Sequence, residues 1–221
     1  MDTVVIACRT LENELNRAMS ECGCGYNIIW VESGLHNVPK KLHSALQEAL
    51  DTADGHARAL LAIGYCGNSL AGLCSKNAAM IIPRVDDCIS LLLGSYKNRL
   101  ALMQTENSYF MTEGWLRGER TIWKEYEYAI NKYGEEIGKS VFEMILGNYK
   151  SLVMLDTGCY DISAIEDEAK KIAVELGLEY KVVPATIGYM KRLLTGPWED
   201  GAFLTIPPGS VIREADLTLN G

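Results

Sequence analysis

The chain has 221 residues and a net charge of −8 at neutral pH, with 29 acidic and 21 basic side chains. Nucleic-acid-binding proteins normally carry a basic surface, so this charge disfavours nucleic acid as a partner. No stretch reaches the roughly 20 apolar residues that a membrane span needs, and the first residues lack the features of a signal peptide. We therefore expect a cytoplasmic protein with no membrane partner.

Apolar runs and amphipathic segments alternate along the first half of the chain. Residues 3–8, 26–31, 60–65 and 78–83 are predicted strands, and residues 9–19, 39–50 and 87–94 are predicted helices. The run at residues 60–65 has no polar face, which is typical of a parallel strand that is covered on both sides. Asp86 is the predicted cap of the third helix.

The same alternation continues in the second half. We predict strands at 108–112, 152–155, 180–184 and 203–206, two helices within 118–147 that are separated near Gly134, and helices at 162–176 and 187–194. Strands that alternate with helices predict an α/β fold with a Rossmann-like, mostly parallel sheet and helices on both faces. We expect a single α/β domain over residues 1–221, with two small related lobes at about 1–105 and 106–221 as the alternative.

Seven cysteines are many for a cytoplasmic chain of this size. Disulfides are rare in that compartment, so we expect reduced thiols or metal ligands. Four of them follow predicted strands: Cys8, Cys66, Cys88 and Cys159. Ligands of open α/β sheets gather at the carboxyl ends of the strands, so these thiols predict a metal site, an iron–sulfur centre or a reactive thiol. His36 also follows a predicted strand and competes with Cys159 as a fourth ligand.

The other three cysteines are predicted to have structural roles. Cys22 and Cys24 form a Cys-x-Cys pair in a predicted loop. Such a pair can bind soft metals, but no second pair with zinc-finger spacing accompanies it. Cys74 is predicted to pack in a helix or loop. We therefore place these three outside the predicted site.

A glycine-containing turn follows the predicted strand at residues 60–65. Gly67 would allow the backbone to approach a ligand, and we group it with Asn68, Arg84 and Trp115 as predicted cofactor-binding residues. The turn is neither the dinucleotide-binding glycine motif nor a phosphate loop, so it gives little support to a nucleotide. No nucleophile elbow is present, which disfavours a hydrolase.

Several motifs resemble those of the domain-of-unknown-function family sixteen thirty-eight. They lie at residues 7–10, 34–37, 64–68, 83–89, 93–95 and 109–115. The stretches Gly-Tyr-Cys-Gly-Asn and Pro-Arg-Val-Asp-Asp-Cys-Ile are the most specific of them. The resemblance implies a protein of methanogens and anaerobic bacteria, encoded beside corrinoid-dependent methyltransferases. It implies no catalytic residue.

Three functions are consistent with these features. The first is a metal or iron–sulfur protein with Cys8, Cys66 and Cys88 as ligands, for which the family resemblance implies an accessory or redox role in corrinoid-dependent methyl-group metabolism. Mixed ligands would favour zinc, and thiolates alone an iron–sulfur cluster. The second is a module that binds a corrinoid or another small molecule, with Trp198 in the pocket wall and a corrinoid protein or methyltransferase as partner. The third is a thiol-based methyltransferase in which Arg84 activates Cys88. Whether the chain is an enzyme stays open.

Overall fold

Apolar runs of the sequence become buried strands in the computed structural model, which describes residues 2–118 and 121–219. The strands are β1 (Thr3–Cys8), β2 (Asn27–Val31), β3 (Arg58–Ala62), β4 (Ala79–Pro83), β5 (Ser108–Met111), β6 (Ser151–Asp156), β7 (Glu179–Pro184) and β8 (Phe203–Ile206). All eight overlap predicted strands. Seven of them contain at least one buried residue, as apolar runs predict, whereas β7 at the edge of the second sheet contains none.

Nine helices connect these strands within the described residues. They are α1 (Glu12–Cys22), α2 (Pro39–Thr52), α3 (Cys88–Leu92), α4 (Tyr96–Thr105), α5 (Glu113–Leu116), α6 (Ile122–Tyr133), α7 (Glu135–Leu146), α8 (Glu166–Glu175) and α9 (Gly188–Thr195). The break at Gly134 between α6 and α7 is as predicted, although residues 119 and 120 of the predicted helical segment lie outside the described residues. None of the described helices has the length and apolar character to cross a membrane.

Two helices and one cap differ from the prediction. The sequence analysis did not predict α4 or α5. None of the residues of α4 is buried, so no apolar face marks it in the sequence. Asp87, rather than Asp86, caps α3, because its carboxylate accepts the backbone N–H groups of Ile89 and Ser90 at 3.0 and 3.1 Å.

The strands form two sheets. The first has the order β2-β1-β3-β4-β8, in which β1 to β4 are parallel and β8 runs antiparallel to β4. The second has the order β5-β6-β7 and is entirely parallel. The predicted α/β fold with a mostly parallel, Rossmann-like sheet is thereby confirmed.

Both faces of the first sheet are covered. Val5 and Ala7 of β1 pack in one apolar cluster with residues of α1, α3 and α9, whereas Val4 and Ile6 pack on the opposite face in a cluster with α2. The first cluster also includes Val153 of β6, so it joins the two sheets. Because both faces are buried, the parallel strands expose their polar chemistry only at their ends.

Candidate functional site

Three cysteines meet at the carboxyl edge of the first sheet. Cys8 is the last residue of β1, Cys66 follows β3, and Cys88 begins α3 just after β4. Because β1, β3 and β4 are adjacent and parallel, their carboxyl ends lie side by side. All three cysteines line one cavity of about 450 Å³. This volume lies in the range of about 300 to 1,000 Å³ that small-molecule sites occupy.

The two walls of the cavity differ in chemistry. The wall at the sheet edge carries the cysteines together with Glu32 and His36. The opposite wall comes from β5 and the segments that follow it, and its aromatic members are Tyr109, Phe110, Trp115 and Tyr149. The cavity therefore combines thiols and charged groups on one side with an aromatic surface on the other.

The three thiols are protonated in this environment. Burial is the largest cause that raises the pKa of Cys8, Cys66 and Cys88. Cys8 and the carboxylate of Asp87 raise the pKa of Cys66 further, and Cys66 does the same for Cys88. Cys66 thus senses the charge of Cys8, and Cys88 senses the charges of Cys66 and Cys8, which requires these side chains to lie near one another.

The turn that carries Cys66 has an unusual backbone. Cys66, Gly67 and Asn68 all have positive φ angles, of 42°, 66° and 70°. Glycine and asparagine tolerate this region, but for a cysteine it costs on the order of 1–3 kcal/mol. A backbone hydrogen bond of 2.7 Å from the N–H of Cys66 to the carbonyl of Asp86 holds the turn against the start of α3. The fold therefore stores strain at a residue that faces the cavity.

An arginine stands between two carboxylates beside the thiols. Arg99 of α4 forms an ion pair with Asp86 at 2.7 Å and a second one with Asp87. Burial raises the pKa of Asp87, and Arg99 opposes that rise. Asp86 also accepts the hydroxyl of Ser90. Arg99 thus offsets negative charge at the point where three thiols and two carboxylates crowd together.

His36 packs near Trp115 across the cavity, with ring centroids 6.5 Å apart. Burial lowers the pKa of His36, and the charges of Asp87 and Glu125 oppose that shift. The imidazole is accordingly neutral at physiological pH, which is the form that binds metals. The indole N–H of Trp115 is buried and has no hydrogen-bond partner among the described residues.

No metal-binding arrangement is preformed in the part of the chain that the structure describes. Residues 2–118 and 121–219 contain no group of three or more His, Cys, Asp or Glu side chains whose positions could hold a metal ion. The cysteine side chains line the same cavity without converging on a common point. A metal would therefore have to draw them together.

A family model described as Protein of unknown function (DUF1638) matches residues 30–194. The chain belongs to this family. The match includes His36, Cys66 and Cys88, whereas Cys8 precedes it. No curated protein and no solved structure matches the chain. The family assignment agrees with the resemblance seen in the sequence and carries no activity with it.

Cys159 lies apart from the other predicted ligands in this DUF1638 protein. It follows β6 of the second sheet and does not belong to the wall of the cavity. Its backbone N–H lies 3.4 Å from the hydroxyl of Thr157, and that hydroxyl donates to the buried carboxylate of Glu14 at 3.0 Å. Burial raises the pKa of Cys159.

The predicted cofactor-binding residues divide into two pairs. Gly67 and Trp115 line the cavity, as predicted from the glycine-containing turn and the strand-end position. Asn68 and Arg84 face the last residues of the chain instead. The amide of Asn68 donates to Glu214 at 3.3 Å, and Arg84 donates to the carbonyl of Asp216 at 3.1 Å.

Trp198 does not line the cavity. Its ring lies under the guanidinium of Arg58, 4.6 Å from the ring centroid, at the amino end of β3. Its indole N–H donates to the carbonyl of Leu193 at 2.9 Å. The prediction that Trp198 lines the pocket is therefore wrong, because the cavity lies at the opposite edge of the sheet.

Sequence reasoning missed several residues of the cavity wall. Arg99 lines the cavity from α4, a helix that the sequence did not predict because none of its residues is buried. Tyr109 and Phe110 belong to a predicted strand, but only the packing of the second sheet beside the first brings β5 over the thiols. Glu32 directly follows β2, so its strand-end position does mark it in the sequence, although it was not among the predicted site residues.

Proposed function

We propose that this protein holds a soft metal centre, zinc or an iron–sulfur cluster, at the carboxyl edge of its first sheet. Cys8, Cys66 and Cys88 would be the ligands, with His36 as the fourth or with an open position for a substrate. The observation that carries the proposal is that the three thiols, from the ends of three adjacent parallel strands, line one cavity together with His36.

Metal binding would change the protonation state of the three thiols. Thiols bind metals as thiolates, so metal binding must release their protons. Three thiolates beside Asp86 and Asp87 would repel one another unless a cation lay between them. A cation would remove that repulsion and draw the side chains together.

The choice of fourth ligand bears on the identity of the metal. His36 shares the cavity with the three thiols, whereas Cys159 does not. A mixed set of thiolates and one imidazole favours zinc, and an all-thiolate set favours an iron–sulfur cluster. The cavity therefore supports His36 and zinc more than Cys159 and a cluster.

Neighbouring side chains would support such a centre. The hydroxyl of Thr10 donates to the sulfur of Cys8 at 3.0 Å, a contact that would orient this ligand and stabilise its thiolate. Arg99 would balance the charge of Asp86 and Asp87. When bound, zinc would supply Lewis acidity, or a cluster an electron, next to the aromatic wall of the cavity.

Metal analysis of protein purified without oxygen tests this proposal. We expect about one zinc ion per chain, or iron and sulfide in proportion, and loss of the metal in Cys66→Ser. Cys74→Ser is the matched control, because Cys74 does not line the cavity. A metal-free chain that also fails to bind zinc or iron with sulfide on reconstitution would contradict the proposal.

Binding of a small organic molecule is the second candidate, and the aromatic wall of the cavity supports it. A corrinoid is larger than this cavity and would have to bind partly outside it. We expect cobalamin, or another ligand, to quench tryptophan fluorescence in the wild type and in Trp198→Phe, but much less in Trp115→Phe. Equal quenching in both variants would argue against binding in the cavity.

The surroundings of Cys88 do not favour a thiol-based methyltransferase. Burial, the largest cause, raises the pKa of Cys88, and the charges of Cys66 and Asp87 raise it further. Arg84, the expected activating group, donates to the carbonyl of Asp216 instead. The link to corrinoid-dependent methyl transfer thus stays a prediction, which binding assays with purified corrinoid proteins can test.

A further inference from the structure

A second pair of thiols lies at the opposite edge of the first sheet from the cavity. Helix α1 starts near the carboxyl end of β1 and ends at Cys22, and β2 then begins at Asn27. Cys22 and Cys24 therefore lie at the amino edge of the sheet, a full strand length from Cys8. The metal site proposed above makes no use of them.

The backbone between the two cysteines is fixed in a tight turn. Gly23 ends α1 with φ of 64° and ψ of 27°, the left-handed conformation that glycine adopts at helix ends. The N–H of Cys24 donates to the carbonyl of Met19 at 2.9 Å, and the N–H of Gly23 to that of Ser20 at 3.3 Å. Two Cα steps of about 3.8 Å through such a turn leave Cys22 and Cys24 about 5.5 Å apart. That separation lies within the range that disulfides span.

The side chain of Cys24 lies near the backbone of Cys22. The sulfur of Cys24 is 3.9 Å from the carbonyl oxygen of Cys22. Burial raises the pKa of Cys22, the charge of Cys24 raises it further, and Lys191 opposes both effects. Cys22 thus lies within electrostatic reach of Cys24, and the neighbouring Lys191 forms an ion pair with Glu21.

Small reagents can reach this turn. Cys22 and Cys24 are both partly exposed, in contrast to the buried Cys88. A Cβ placed on Gly23 or on Gly25 would meet no other atom within 4 Å, so the space beside both glycines is open. Attack on a sulfur depends on such access as much as on the pKa of the thiol.

We propose that Cys22 and Cys24 form a dithiol–disulfide couple that exchanges with small disulfides. One thiolate attacks the small disulfide, forms a mixed disulfide and releases the first small thiol. The second cysteine then attacks the sulfur of its neighbour, closes the Cys22–Cys24 bond and releases the second small thiol. Two electrons and two protons pass from the protein to the disulfide, which leaves as two thiols.

Titration with mixtures of reduced and oxidised glutathione tests the couple. The sample is quenched by alkylation, and its intact mass and peptide map are measured. We expect the oxidised wild type to lose two alkylation sites, both in the peptide with Cys22 and Cys24, without keeping any glutathione. In Cys22→Ser and Cys24→Ser, the reaction should stop at a mixed disulfide that keeps one glutathione.

Cys74→Ser serves as the control and should behave as the wild type. A wild type that keeps bound glutathione at this peptide, or that forms its disulfide between other cysteines, would overturn the proposal. So would full alkylation of both cysteines at every ratio of oxidised to reduced glutathione. These outcomes are independent of the metal centre, whose ligands are other residues.

Discussion

Gly64 and Asp87 lie so close that a side chain on the glycine would overlap the backbone of the aspartate. A Cβ built on Gly64 would stand 2.3 Å from the Cα of Asp87 and 2.6 Å from its backbone N. The end of β3 thus packs directly on the start of α3. This contact places the turn of Cys66 beside Cys88.

Gly64→Ala tests the importance of this contact. The methyl group has no space unless the backbone moves, so we expect a loss of about 3 kcal/mol in the free energy of unfolding, measured with urea. Gly55→Ala is the control, because a Cβ there meets no atom within 4 Å. The control should change stability by no more than about 0.5 kcal/mol. Equal losses in both variants would show that the close contact is unimportant.

Asp87 both caps α3 and pairs with Arg99, and two substitutions separate these roles. Asp87→Asn keeps an oxygen that can accept the N–H groups of Ile89 and Ser90 but loses the ion pair. Asp87→Ala loses both, and we expect it to cost about 1 kcal/mol more in urea unfolding than the Asn variant.

Ser95 supplies the reference for a cap without an ion pair. It caps α4 by accepting the N–H of Asn98 at 3.0 Å. Ser95→Ala should therefore cost about 1 kcal/mol. If Asp87→Ala and Asp87→Asn are equally unstable, the ion pair rather than the cap holds the start of α3.

The backbone of Cys66 predicts a reversal of the usual order of alanine and glycine. Glycine normally destabilises a folded chain relative to alanine, because it loses more backbone freedom on folding. At Cys66 the φ of 42° favours glycine, so we expect Cys66→Gly to be about 1 kcal/mol more stable than Cys66→Ala.

The same pair of substitutions at Cys74, which has no positive φ, should show the usual order. Urea unfolding of the four variants measures the difference in stability between Gly and Ala at each of the two positions. An Ala variant at position 66 that is more stable than the Gly variant would mean that the turn is not strained.

The sequence was sufficient to predict the strands and part of the site. Long apolar runs identify buried parallel strands, and the strand-end rule then brings Cys8, Cys66 and His36 to one edge. The same rule misplaces Cys159, because it assumes a single sheet. Cys159 follows β6 of the second sheet, next to Thr157, whose hydroxyl donates to Glu14, and it does not line the cavity.

Other parts of the site depend on tertiary packing that leaves no local pattern. Arg99 belongs to a helix without a buried face, and its role arises only from its position beside Asp86 and Asp87. Tyr109 faces the thiols because the second sheet packs beside the first. Periodicity reports which face of an element is buried, but it does not report which other element covers that face.

The buried carboxyl of Glu14 makes stability depend on pH. Its side chain is fully buried, and one oxygen accepts the hydroxyl of Thr157 at 3.0 Å while the other has no partner among the described residues. Burial raises the pKa of Glu14 above 4.5, and the charge of Glu113 adds to that rise. The folded chain therefore keeps a proton that the unfolded chain loses once the pH exceeds about 4.5.

Glu14→Gln should reduce this dependence. Below about pH 4.5 the carboxyl is protonated in both states and contributes no penalty, whereas the free energy of unfolding falls as the pH rises toward the folded pKa. Glutamine cannot ionise and keeps an acceptor for Thr157. We expect the variant to match the wild type near pH 4.5 and to be more stable at about pH 8, by on the order of 1 kcal/mol.

Glu12→Gln on the same helix is the control. Glu12 is exposed, so its substitution should leave the change in unfolding free energy with pH as it is in the wild type. Urea unfolding across this pH range measures both slopes, and a Glu14→Gln slope equal to that of the wild type would mean that Glu14 is already ionised in the folded chain.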